Sequence, residues 1–116
     1  MTAYEFEYNG TTYTMEFDRD AVKAAEAAFG FDVSNVNTPS TTNMENLFHA
    51  SLLKHHPNIK PSTVSMLYAP QSDKVGLFQD LVSMYMETVV TLLVDGDEGK
   101  AVSRRKIGSG SLPAAG

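Results

Sequence analysis

The sequence predicts an α+β fold, mainly α, with an N-terminal β-hairpin, about four α-helices and a flexible C-terminal tail. Three observations carry that reading. The first 17 residues alternate apolar and polar side chains about an Asn-Gly pair. From about position 18 to 95, apolar residues recur at three- and four-residue steps, punctuated by capping residues, glycines and prolines. Beyond Gly96 the pattern stops. The organisation expected is one domain over 1–96 and a basic tail over 97–116.

In the hairpin, Tyr4, Phe6 and Tyr8 alternate with Glu5 and Glu7, and Tyr13, Met15 and Phe17 alternate with Thr12, Thr14 and Glu16. A two-residue type I′ turn at Asn9 and Gly10 sets Phe6 opposite Tyr13, Tyr4 opposite Met15, Glu5 opposite Thr14 and Glu7 opposite Thr12. One face is then aromatic and the other polar. A lone hairpin is marginal in water, so helices or another chain must cover the aromatic face.

Asp18 is the expected N-cap of a first helix that ends at Gly30, with Val22, Ala25 and Phe29 as its apolar stripe. Phe31, Asp32 and Val33 lead out of it into a polar loop over 34–41 that contains Pro39. Thr42 and Glu45 fit a capping box for a second helix, running through Leu47, Phe48, Ser51, Leu52 and His55 to Pro57. Pro61 opens a short third helix carrying Val64, Leu67 and Tyr68. The last helix is the longest, from about Asp73 to Asp95. Its apolar set is Val75, Phe78, Val82, Tyr85, Val89 and Leu92, joined by Leu81 and Leu93.

Fourteen acids face nine Lys and Arg, a net charge of −5, and the distribution is uneven. The chain up to Glu98 carries −9, whereas Lys100, Arg104, Arg105 and Lys106 give the tail +4. Nucleic-acid affinity rests on clustered Lys and Arg, so an acidic body argues against it. No cysteine is present, which removes disulfides and thiolate chemistry. The N-terminus lacks the basic-then-apolar run of a signal peptide, and no apolar stretch stands out as approaching 18 residues. The compartment expected is the cytoplasm, with no membrane partner.

Residue chemistry offers two constellations. Glu45, His49 and His56 would share a helix face, with His55 beside them, but the His-Glu-x-x-His metal spacing is absent. A small metal-dependent enzyme using these histidines is therefore the lesser alternative to a polar helix face. Glu5, Glu7 and Glu16 share a hairpin face, where a solvated surface that discourages edge-to-edge pairing is the plainer reading than a cation site. No Gly-x-Ser-x-Gly turn and no phosphate-binding glycine loop is present. No catalytic residue, metal or cofactor is expected.

The opening YEFEYNGTTYTMEFDRDAVKAAEAAFGFDVSNV carries a hairpin turned at Asn-Gly, an acidic cap, and Val22, Glu26 and Gly30 at four-residue steps. With the helices NLFHASLLKHHPNIKPSTVSMLY and VGLFQDLVSMYMETVVTLLVD, it resembles small tail assembly chaperones of long-tailed bacteriophages and prophages of Gram-positive hosts, over about residues 4–95. The resemblance implies a non-enzymatic protein of the host cytoplasm, absent from the finished virion. It implies binding to the tape measure protein and recruitment of tail tube subunits. A structural tail tube or completion protein retained in the particle is the alternative of the same broad type. Candidate partner-binding residues are Tyr4, Phe6 and Tyr13 on the hairpin and Met84 and Tyr85 on the last helix, with Met44, Met66 and Met86 as further adaptable apolar surface; core packing is the plainer role for Met84 and Met86, which lie in the main helix. The hairpin edge and the exposed faces of the last two helices are the candidate surfaces, and a strand edge that can pair between chains leaves a homo-oligomer open.

Overall fold

The structure is a computed structural model that describes residues 2–94 and Arg104. Within the described residues the chain forms one antiparallel hairpin followed by four helices. β1 (Ala3–Tyr8) and β2 (Thr11–Glu16) are joined by Asn9 and Gly10 at φ 50° and 79°, the paired positive values of a type I′ turn. The register pairs Phe6 with Tyr13, Tyr4 with Met15, Glu5 with Thr14 and Glu7 with Thr12, as the alternation requires.

α1 (Arg19–Phe29) starts where Asp18 Oδ1 accepts the Ala21 N–H at 2.9 Å. It stops at Gly30, whose φ of 70° lets the Phe31 N–H turn back onto the Ala25 carbonyl. The connection that follows is more ordered than its polar composition suggests. Asp32 accepts from the Ser34 N–H, the Asn35 amide donates to the Gly30 carbonyl, and Phe31 and Val36 are both buried.

α2 (Thr41–Leu52) begins two residues before the expected capping box. Ser40, not Thr42, is the N-cap, and its hydroxyl accepts the Asn43 N–H at 3.0 Å. The Asn43 amide holds that start by donating to the carbonyls of Asn35 and Thr38. Glu45 is thereby released from capping and accepts from the Ser65 hydroxyl instead. The helix also ends earlier than expected, at Leu52. His55 and His56 lie in the turn beyond it, so the expected extension to His55 is not helical.

α3 (Pro61–Tyr68) places Pro61 at its first position and buries Val64, Leu67 and Tyr68. α4 (Lys74–Val94) is opened by Asp73, which takes φ 50° so that Oδ1 can accept the Gly76 N–H. A Cβ at Gly76 would collide with that carboxylate. The expected apolar face of α4 needs correction. Phe78, Leu81, Met84, Tyr85, Thr88 and Val89 turn inward, whereas Val75 and Leu93 are exposed. Carrying just two charges after Lys74, α4 is also long and apolar enough to cross a membrane by length and composition, which the reading of short apolar runs overlooked. In this fold its inner face is spent on α1 and α2. The expected stop at Gly96 and the tail over 97–116 lie outside the described residues, Arg104 apart.

α2 is the hub, packing against β2, α1, α3 and α4. Leu47, Phe48, Ala50, Ser51 and Leu52 are fully buried, so the helix is enclosed nearly all round at its C-terminal half. Ser51 is tolerated there because its hydroxyl donates to the Phe48 carbonyl at 2.7 Å. The Phe48 ring stacks on Phe6 of the hairpin at 5.8 Å between centroids and meets Tyr68 of α3 at 5.3 Å. Phe17, just past β2, meets Tyr85 of α4 edge-on at 5.5 Å. The Thr88 hydroxyl lies within reach of both the Met84 and Phe17 carbonyls, tying the exit of β2 to α4.

Phe48→Ala is expected to cost about 3–5 kcal/mol in urea unfolding, because one ring serves three elements. Gly76→Ala is expected to leave stability within about 0.5 kcal/mol, because loss of the Asp73 cap, about 1 kcal/mol, is offset by a similar gain in helix propensity, with the same denaturant dependence as the parent.

Candidate functional site

Two surfaces deserve comparison as sites, the hairpin junction and the outer face of α4. At the junction, Glu16 ends β2 beside the turn that follows α2. Its carboxylate takes Lys54 Nζ at 2.8 Å on one oxygen and His55 Nε2 at 2.9 Å on the other. These partners, Lys54 foremost, hold the Glu16 carboxyl below its ordinary pKa. The expected solvated glutamate face is thus divided. Glu5 and Glu7 are exposed, while Glu16 belongs to a clamp between strand and helix.

The three histidines do not converge. His55 serves Glu16. His56 turns its Nε2 to accept the Thr14 N–H at 3.3 Å, with its ring 5.0 Å from that of Tyr13. His49 lies 5.1 Å from the Phe29 ring, on the side of α2 facing α1. Accepting from an amide requires His56 Nε2 to be unprotonated, and burial followed by the neighbouring His55 pushes its pKa down. Burial also lowers that of His49, against the opposing pull of the Ile59 backbone and Glu45. The expected line of Glu45, His49 and His56 is therefore dispersed: Glu45 holds Ser65, and His56 lies beyond the helix. Among the described residues, no three His, Cys, Asp or Glu side chains are grouped so as to hold a metal ion.

The five candidate partner-binding residues separate into two groups. Phe6 and Tyr13 stack on each other at 5.5 Å and are half-buried, and Tyr4 is exposed beside them. Met84 and Tyr85 are 2% and 0% exposed, so in this conformation they are core and offer no surface. They face inward because α4 presents the stripe that includes Phe78 and Leu81 to α1 and α2. The Tyr85 hydroxyl is buried with no hydrogen-bond partner among the described residues. Burial, with the acids Glu26 and Asp32 nearby, raises its pKa. Of the other methionines, Met66 is exposed, Met44 and Met86 half-buried.

The apolar surface lies round the helix from Met84 and Tyr85. Val75 (62% exposed), Val90 (52%), Leu93 (78%) and Val94 (74%) stand on the outer side of α4. Half-buried Val82 and Met86 fill the interval between them. At about 100° per residue, Val75, Val82, Met86, Val90 and Leu93 fall on one stripe. The sequence signal was present, since Val75, Val82 and Leu93 belong to the apolar set of this helix. That set spans two stripes, one on the core and one outward.

The sequence profile of a family described as Domain of unknown function (DUF5055) matches residues 2–108, crossing the compositional boundary at 96. No curated protein and no solved structure matches the chain.

The junction and His49, on the α1 side of α2, together set a pH dependence. A native pKa below the unfolded value means that the unfolded chain binds protons first on acidification, so stability falls as pH falls. For His49 and His56 the loss starts near pH 6.5, and for Glu16 near 4.5. Urea midpoints measured from pH 8 to 3 are expected to decline in these two stages. Replacing both His49 and His56 by Gln should flatten the upper stage, and Glu16→Gln the lower.

Proposed function

For this chain, which belongs to the DUF5055 family, we propose the role of a bacteriophage tail assembly chaperone, acting by binding alone. Its client is the tape measure protein, a long helical chain, and it helps bring tail tube subunits to that client in the host cytoplasm. It leaves before the virion is complete. The observation that carries the reading is the apolar stripe of α4 left uncovered among the described residues, with Val75, Val90 and Leu93 each more than half exposed. A stripe at helical spacing on a rigid helix is suited to take an amphipathic helix lengthwise, which is how groove-binding helices are recognised. Exposed apolar residues aligned in this way mark an interaction surface rather than scattered surface hydrophobes. The layout of hairpin, capped helix and long final helix supports the same reading through the resemblance to tail assembly chaperones.

The test is to replace Val90 and Leu93 together by Asp and to follow co-migration with a tape measure protein by size-exclusion chromatography. Binding should weaken by more than about ten-fold, while the change in stability stays within about 0.5 kcal/mol for each surface site. Undiminished binding would remove the stripe from the mechanism. Mass spectrometry of purified virions should find the protein absent, and stoichiometric retention would sink the chaperone role.

A further inference from the structure

Resting on the reading of the α4 stripe as the client surface, we propose that the segment it takes is a basic amphipathic helix, with Lys or Arg on one flank at heptad spacing. The charges of α4 carry this. Between Val75 and Val94 the charged residues are Asp80 and Glu87 and no cation. Both are exposed, and they are seven residues apart, which places them about 10 Å apart along the helix axis on the same flank. A helical wheel sets that flank about a third of a turn from the centre of the stripe, bordering it on the Val90 side and away from the core. The cation of α4, Lys74, is turned off the stripe: its ammonium donates to the carbonyls of Ala69 and Gln71 and sits 5.4 Å from the centre of the Tyr68 ring.

An incoming helix thus meets an apolar seam with acids along one rim. Rim charges of this kind select partners and orientation in paired helices, as flanking charges do in coiled coils. A helix with basic residues seven apart places both of them against Asp80 and Glu87. An acidic helix of the same apolar pattern meets repulsion at both. A second copy of α4 is disfavoured in the antiparallel arrangement for the same reason, because this flank would then face itself. The part of the chain before α4 adds to the selection, since residues 2–73 carry nine acids against four bases.

The probes are two synthetic helical peptides of about 21 residues with identical apolar faces, one with Lys and one with Glu along the flank. Their binding to the full chain is followed by fluorescence anisotropy at about 50 and 300 mM salt. The Lys peptide should bind about ten-fold tighter at low salt, with the difference shrinking at high salt. Asp80→Lys with Glu87→Lys should reverse the preference, and thermal unfolding checks that this variant is folded. Equal affinities, still abolished by Val90→Asp with Leu93→Asp, would overturn the charge selection and leave the stripe as the client surface. Binding indifferent to the Val90 and Leu93 replacements, or absent for both peptides, would overturn the stripe reading itself. So would concentration-dependent dimerisation in sedimentation that those replacements abolish, because a second copy would then be the occupant.

Discussion

A two-stranded sheet has one face to bury and no third strand to steady it, and the molecule is arranged around that constraint. The solution is a single aromatic ring. Phe48 stands on the hub helix with the hairpin's Phe6 on one side and α3's Tyr68 on the other. The polar contacts are placed at the same seam. Glu16 with Lys54 and His55, and the Thr14 amide with His56, all join β2 to the end of α2. Burial supplies the attraction here, and the polar pairs fix the angle at which the sheet lies. Exposed ion pairs alone contribute little. Here the amide–imidazole bond also meets an outward-facing donor on the strand edge that would otherwise depend on water.

The hairpin was fully legible because its information is local. Period-two alternation fixes the faces and Asn9-Gly10 fixes the register, with no reference to the rest of the chain. The caps at Asp18 and Gly30 are local in the same way. The start of α2 was not. Ser40 and Thr42 are both good caps, and the choice is made by the Asn43 amide reaching back to Asn35 and Thr38, a contact that helical periodicity does not encode. Val36, buried in a segment of polar composition, escaped for a similar reason.

The candidate site was half legible. Apolar residues on α4 are dense enough to fill two stripes, and periodicity says that both exist without saying which meets the core. That choice depends on what α1 and α2 present, so Met84 and Tyr85 went to the interior and Val90 and Leu93 to the outside. The histidines show the converse. Their spacing suggested a shared face, but the helix ends at Leu52, and the imidazoles part company: His55 and His56 are engaged by β2, and His49 faces Phe29 of α1. The two contacts with β2 span about forty positions of chain, and no spacing rule within one helix can reveal them.

The distance in sequence between Thr14 and His56 also orders events during synthesis. The hairpin is made first, yet the surface that holds it emerges some forty residues later. A free two-stranded hairpin does not persist in water. The sheet therefore has no cover until α2 has been made, and Tyr4, Phe6 and Tyr13 stay open to other contacts until then. The glutamates that line the polar side of β1, Glu5 and Glu7, matter most in that interval, when they keep one nascent strand from pairing with another.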